Sequence, residues 1–352
     1  MGFVKKLLGE TAIYGVSTIV GRLLNYLLVP LYVRIFAEQE YGIVSELYAY
    51  ITFFAIILTH GMETGFFYFA SKNKSPARAF STSFYSVFSI SSVIAILVLL
   101  FVEPISQNIQ LESQSYLIQL AIGILFFDAI AAIPFARLRY EERPYYFAFV
   151  KTLNIAFNIG LNLFFLLFCR SVYIEGPDNQ WFNLVKSFYN PEIGIAYIFI
   201  SNFIASAIQN ILLLPQLQFL SLYFDLEYWK KLIKYSWPIV IIGLAAMVNE
   251  TLDRILLKYL LPYDIESNRA LMGIYSACYK LAVLMTLITQ AFRFAAEPFF
   301  FKAYQDDNPQ LKYAVVMNYF ILAGSAILAG VTVFLPILKY FIGPEGSAYH
   351  QG

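Results

Sequence analysis

The chain has 352 residues, 59% of them hydrophobic and 13% charged, with a mean hydropathy of +0.64 and a formal net charge of +1. Soluble domains carry roughly 25% charge, so this composition excludes a cytoplasmic enzyme, a nucleic-acid binder and a disordered chain. It calls for a surface that faces lipid, with 34 Phe and 27 Tyr to line it and anchor its interfaces.

A bilayer core of ~30 Å takes about 20 mostly apolar residues per helix. In chain order the segments that satisfy this are 11–36, 41–70, 79–101, 114–136, 145–169, 193–220, 235–261, 271–300 and 313–340. The expected fold class is therefore all-α, a polytopic transmembrane helix bundle of about nine helices. The opening MGFVKKLLGETAIYG lacks the short apolar core and small-residue cleavage site of a signal peptide, and reads as a first helix that is retained. The longest connection, 170–192, holds Gly176, Pro177, Trp181 and Asn190–Pro191, and no loop is large enough for a soluble domain.

Basic residues alternate between the two sets of helix ends. One set carries Lys5, Lys6, Lys72, Lys74, Arg78, Arg137, Arg139, Arg143, Lys230, Lys231, Lys234, Lys302 and Lys312. The other carries only Arg34, Arg170, Lys186, Lys258, Arg269 and Lys339. Cytoplasmic loops are the Lys/Arg-rich ones, so the N-terminus is expected in the cytoplasm.

The block YGIVSELYAY from Tyr41 returns as MGIYSACYKL from Met272, pairing Gly42 with Gly273, Ile43 with Ile274, Ser45 with Ser276 and Tyr48 with Tyr279. Chance similarity between two apolar helices is the alternative. An even number of helices separates the copies, so both run the same way through the membrane. Such parallel repeats, related by an axis along the membrane normal, recur in secondary transporters.

Ionisable residues within membrane helices face the bundle interior or a water-filled cavity. The expected spans hold Arg22, Lys151, Arg254, Lys280 and Arg293, with Glu46, Glu63, Asp128, Glu250, Asp253 and Glu297. Thr18, Arg22 and Asn25 share a face of the first helix. Lys151, Asn154, Asn158 and Asn162 make a stripe on the fifth, and Asn202, Ser206, Gln209 and Asn210 another on the sixth. Glu250 with Arg254, and Arg293 with Glu297, are spaced to neutralise each other, and the amide stripes can simply bond neighbouring helices. Arg22 and Lys280 have no partner one turn away on their own helices and point to an aqueous, positively charged lumen, with Glu46 and Glu63 as candidate partners. Glu46, Glu63 and Asp128 are also the candidates for ion coupling. Pro30, more than a turn inside its span, is the candidate for a bend.

Cys169 and Cys278 form no disulfide framework, and with His60 and His350 as the only histidines no zinc site or Ser-His-Asp triad is expected. His60 reads as a packing or hydrogen-bonding residue. A membrane polymerase or acyltransferase would need a catalytic loop or histidine that the sequence lacks. No enzyme activity, cofactor or metal is expected.

The runs GRLLNYLLVPLYVRIFAEQEYG, THGMETGFFYFAS and, above all, ETLDRILLKYLL…MGIYSACYKLAVLMTLITQAFRFAAEPFFFKAY from Glu250 to Tyr304 resemble the polysaccharide-biosynthesis flippases of the multidrug/oligosaccharidyl-lipid/polysaccharide exporter superfamily. That resemblance implies two six-helix bundles around a central cavity, open alternately to each membrane face. The N-terminal bundle would be 1–223 and a partial C-terminal bundle of three helices 224–352. The substrate would be an undecaprenyl-pyrophosphate-linked oligosaccharide, moved from the cytoplasmic to the periplasmic leaflet of a bacterial inner membrane. The implied partners are membrane lipids and glycan polymerases or glycosyltransferases, with no nucleic acid. Arg22 matches the family's first-helix arginine, and Lys280 and Arg293 fall near its eighth-helix cations. Leu28 stands where lipid-linked peptidoglycan-precursor flippases carry a further arginine, which disfavours that narrower substrate. Substrate-binding candidates are Arg22, Asn25, Lys151, Arg254, Lys280 and Arg293, since Arg and Lys are the donors a diphosphate requires. Family members have a dozen or more helices, so the sequence also reads as a C-terminally truncated member whose second bundle is incomplete. The alternative function is a cation-coupled multidrug exporter of the same superfamily, for which the interior acids would be the binding groups.

Overall fold

The computed structural model describes residues 20–21, 23–72, 75–221, 224–303 and 309–350; the side chains of 283–285, 287–288, 290–309 and 311–312 lie outside that description. Among the described residues there is no strand. The helices are α1 (Val29–Ile35), α2 (Glu38–Thr59), α3 (Met62–Lys72), α4 (Pro76–Leu100), α5 (Val102–Asn108), α6 (Tyr116–Tyr140), α7 (Pro144–Leu163), α8 (Arg170–Glu175), α9 (Phe182–Lys186), α10 (Ala196–Leu217), α11 (Leu226–Leu260), α12 (Ile265–Ala303) and α13 (Pro309–Ile342). Among the described residues six stretches are long and apolar enough to cross a membrane: Glu38–Lys72, Pro76–Leu100, Tyr116–Tyr140, Pro144–Asp178, Ala196–Leu217 and Tyr313–Ile342. The protein is a multi-pass, all-α membrane bundle. Each of the nine segments read from hydropathy overlaps a helix. α11 carries Glu250, Asp253, Arg254 and Lys258 in its second half.

Local chemistry sets the helix starts. Pro30, Pro76 and Pro144 open α1, α4 and α7, where the missing N–H has no partner to lose. Asp225 caps α11 by accepting from the Tyr228 amide at 2.8 Å, and Asp264 caps α12 by accepting from the Ser267 amide at 3.0 Å and its hydroxyl at 2.7 Å. Those two bonds hold the Asp264 carboxyl below its usual range. Pro134, Pro215 and Pro238 sit inside helices that continue through them.

Two breaks refine the expected spans. The first span is interrupted by a turn at 27–28, so Pro30 begins a helix rather than bending one. The second span, expected as one helix over 41–70, divides at His60 (φ 33°) and Gly61 (φ 70°). A Cβ on Gly61 would lie 2.8 Å from the Ser236 carbonyl oxygen, so both the left-handed backbone and the close approach of α11 require glycine there. His60 secures the break: one ring nitrogen lies 2.7 Å from the Leu58 carbonyl and the other 2.8 Å from the Ser86 hydroxyl, which also accepts from the Trp229 indole at 2.8 Å.

The described chain forms two compact units, Met1–Gly42 with Arg269–Gly352, and Ile43–Asn268. In the first, the repeat copies meet. A Cβ on Gly42 would fall 2.1 Å from the Arg269 carbonyl oxygen, and one on Gly273 would fall 2.2 Å from that of Glu38. Arg269 stands four residues before Gly273, as Glu38 does before Gly42, so the contact is reciprocal in the way a two-fold axis between the copies requires. The same unit ends α13 with a cation: Arg34 donates to the Tyr340 carbonyl at 2.7 Å, where unpaired helix carbonyls favour positive charge.

The second unit has its core where α3, α4, α6 and α11 meet, with Leu58, Met62, Phe66, Phe80, Ile122, Ile133 and Leu232 buried. Lipid supplies no hydrophobic drive for such packing, so close contact and interhelical hydrogen bonds hold it.

Candidate functional site

In the second unit, α2, α6, α7 and α10 place a polar cluster in mid-bundle. Helical spacing puts Asn202, Ser206 and Asn210 on one face of α10, and that face turns to its neighbours. Asn202 donates to the Tyr48 hydroxyl of α2 at 3.0 Å, and Asn210 to the Phe127 carbonyl of α6 at 2.9 Å. Ser206 donates to the Asp128 carboxylate at 2.8 Å. Asp128 is nonetheless exposed. Lys151 of α7 lies within electrostatic reach of Asp128, Glu63 and Arg139, its ammonium resting 4.2 Å from the centre of the Phe135 ring. The α7 stripe bonds within itself instead: the buried Asn162 donates to the Asn158 carbonyl and side-chain oxygens at 2.8 and 3.2 Å.

The Lys/Arg-rich end of this unit sorts its cations by use. Arg78 pairs with the capping Asp225 and covers the Tyr228 ring. Arg137 takes Glu141 at 2.6 Å and stacks on Phe219 at 3.6 Å. Arg139, two residues on, points elsewhere. It meets Glu63 of α3 at 2.6 Å, with 31% and 42% of the two side chains exposed. Beside it, Thr64, Phe67, Tyr68, Ser71, Lys72 and Tyr235 line an open cavity of about 570 Å³. Tyr68 and Tyr235 stack there at 4.2 Å, and Lys72 donates to the Tyr68 hydroxyl at 2.9 Å.

At the opposite end, Glu46 meets Lys258 at 2.5 Å with both side chains wholly buried. The ammonium also donates to the Ile109 carbonyl at 2.8 Å. Asn268 closes the layer by donating to the Lys258 carbonyl at 2.9 Å.

The structure thus brings Lys151, Asp128 and Glu63 to one side of the bundle and commits Glu46 elsewhere. The Arg254 guanidinium donates to the Glu250 carbonyl at 2.6 Å and approaches the Asp253 carboxylate at 3.8 Å, not the Glu250 carboxylate that its spacing suggested. Asn25 is exposed and Lys280 half-buried, each with a polar interaction of its own. Arg22 and the side chains of Arg293 and Glu297 lie outside the described residues. Sequence reasoning missed Arg139 and Lys258 as interior groups because both sit among the end charges that mark orientation. The sequence carried no clear signal for Arg139, since Glu142 at i+3 offered it an ordinary local partner.

A family model described as polysaccharide biosynthesis protein matches residues 7–304. The chain belongs to that family. No match was found among curated proteins or among solved structures. Membership of this family and a bundle of membrane-spanning helices support a transport role in polysaccharide biosynthesis in general. Its substrate is, in general terms, a lipid-linked glycan.

Proposed function

We propose that the protein is a flippase that moves an undecaprenyl-pyrophosphate-linked oligosaccharide from the cytoplasmic to the periplasmic leaflet of a bacterial inner membrane. The observation that carries this reading is the polar cluster of Tyr48, Asp128, Lys151, Asn202 and Ser206 within a family member's bundle. Isolated charges are expensive in lipid, whereas a headgroup with phosphates and sugar hydroxyls needs such donors and acceptors on its way across. The Lys/Arg bias of alternate helix ends supports a cytoplasmic N-terminus. Repeat-equivalent glycines in reciprocal contact support two bundles, 1–223 and 224–352, related by an axis along the membrane normal. Transport is then a population shift between inward-open and outward-open states. Arg22, Asn25, Arg254, Lys280 and Arg293 complete the substrate path in this reading, with glycosyltransferases and a glycan polymerase as partners upstream and downstream.

The test is surface glycan measured in cells that lack the gene and in cells carrying it with Arg22→Ala or Lys280→Ala. Loss of the gene should abolish surface glycan, and each variant should restore less than a tenth of it. Normal glycan without the gene defeats the flippase reading, and full restoration by both variants defeats the basic lumen. The exposed Asp128 carboxylate favours a second reading, a cation-coupled drug exporter. Dye efflux that depends on the gene and is lost in Asp128→Asn, with surface glycan intact, would select it.

A further inference from the structure

The flippase reading says which headgroup must be held but not where it first docks on the second unit. Arg139 and Lys151 project from successive helices, α6 and α7, and lie near enough to repel each other. Arg139 pairs with Glu63 at 2.6 Å, Lys151 lies within electrostatic reach of Asp128, and both carboxylates are accessible. The arginine is only partly used. Its terminal nitrogen meets Glu63, while Nε is buried without a hydrogen-bond partner. An arginine fork fits phosphate with two parallel donors, and the terminal nitrogen that now meets Glu63 is the donor that a phosphate would take over.

Phe67 and Phe147 lie under the Arg139 guanidinium at 5.3 and 6.0 Å, and Phe135 lies under the Lys151 ammonium. The rings steady both cations without neutralising them. Phe67 is also a wall of the cavity that holds Lys72, Thr64 and Ser71, which gives space and hydroxyls for whatever is attached to the phosphates. The volume suits a small-molecule headgroup.

We propose that Arg139 and Lys151 form a docking site for the diphosphate of the lipid-linked substrate, with Glu63 and Asp128 as resident counter-ions that the diphosphate displaces. The site rests on the flippase reading for its ligand and is separate from the first- and eighth-helix cations. A diphosphate carries more charge than either carboxylate and bridges both cations at once. The carboxylates keep the site neutral when it is empty, and they lower its affinity enough for release.

The experiment is calorimetric titration of the detergent-purified full chain with inorganic pyrophosphate and, separately, farnesyl diphosphate. Arg139→Gln and Lys151→Gln should each weaken both ligands roughly ten-fold, the scale of one lost charge-assisted contact. Glu63→Gln and Asp128→Asn should tighten both several-fold, a gain that misfolding cannot imitate. Arg143→Gln, which removes an exposed charge from the same end, should change neither. Binding of farnesyl diphosphate alone would assign the site to lipid headgroups, and equal binding of both to the diphosphate itself. Absence of saturable binding to the wild type, unchanged affinity in both cation variants, or weaker binding in Glu63→Gln overturns the site. Surface glycan separates the two ideas. Export with no diphosphate binding leaves the flippase standing without this site, and the binding pattern without export leaves the site and removes the flippase.

Discussion

Two carboxylate–cation pairs in one unit, Glu46–Lys258 and Glu63–Arg139, have nearly the same length, 2.5 and 2.6 Å, and opposite surroundings. The first is wholly buried, and its ammonium is also satisfied by the Ile109 carbonyl. The second is open on both members and leaves an arginine donor unused. A buried pair that loses one member strands a charge without solvent, whereas an open pair exchanges its partner for water or ligand at small cost. Equal chemistry therefore gives a fixed clamp at one end of the unit and an exchangeable site at the other.

The largest effect that would break this contrast concerns the clamp. Lys258→Ala or Glu46→Ala should cost about 3–5 kcal/mol, while the apolar double variant Glu46→Met with Lys258→Met should be near neutral. Arg139→Ala should cost less than about 1 kcal/mol, since its pair is exposed and screened. Thermal unfolding in detergent reads all four, and equal losses at the two ends would erase the distinction. A smaller effect is expected at the crossing of the repeat copies. Gly42→Ala drives a Cβ into the Arg269 carbonyl and should cost about 1–3 kcal/mol as overpacking; a neutral result would mean that the two helices are not in close contact. The smallest concerns pH. The Asp264 carboxyl is held below its ordinary value by the Ser267 bonds, so its capping contribution is complete above about pH 4, its ordinary value. That contribution is lost as pH falls through the lowered folded value. Hydrogen exchange at the first turn of α12 should rise below that point in the wild type but show no such pH step in Asp264→Ala.

Much of the fold was legible in the chain. Runs of about 20 apolar residues must become helices in lipid, because no water is present to satisfy the backbone. Each of the nine segments accordingly overlaps helix among the described residues, the second as two helices. The break at His60–Gly61 was not legible, since a Gly inside an apolar run is ordinary in membrane helices; it takes the approach of Ser236, far along the chain, to demand it. The interior site was half legible. Asp128, Lys151 and the α10 amides stood out as polar groups at helical spacing, because a polar residue in an apolar run is conspicuous. Arg139 and Lys258 did not, because a cation at a helix end has an ordinary explanation in topology.

The sequence by itself determined that this is a multi-pass helical membrane protein of the polysaccharide biosynthesis family, since hydropathy, helical period and family blocks are all written along the chain. Tertiary structure alone decided which charges are spent and which are free to act. Lys258 reaches Glu46 across more than half the chain, and Arg139 finds Glu63 on another helix. Pairing energies depend on burial and on partners distant in sequence, and neither exists until the helices have packed.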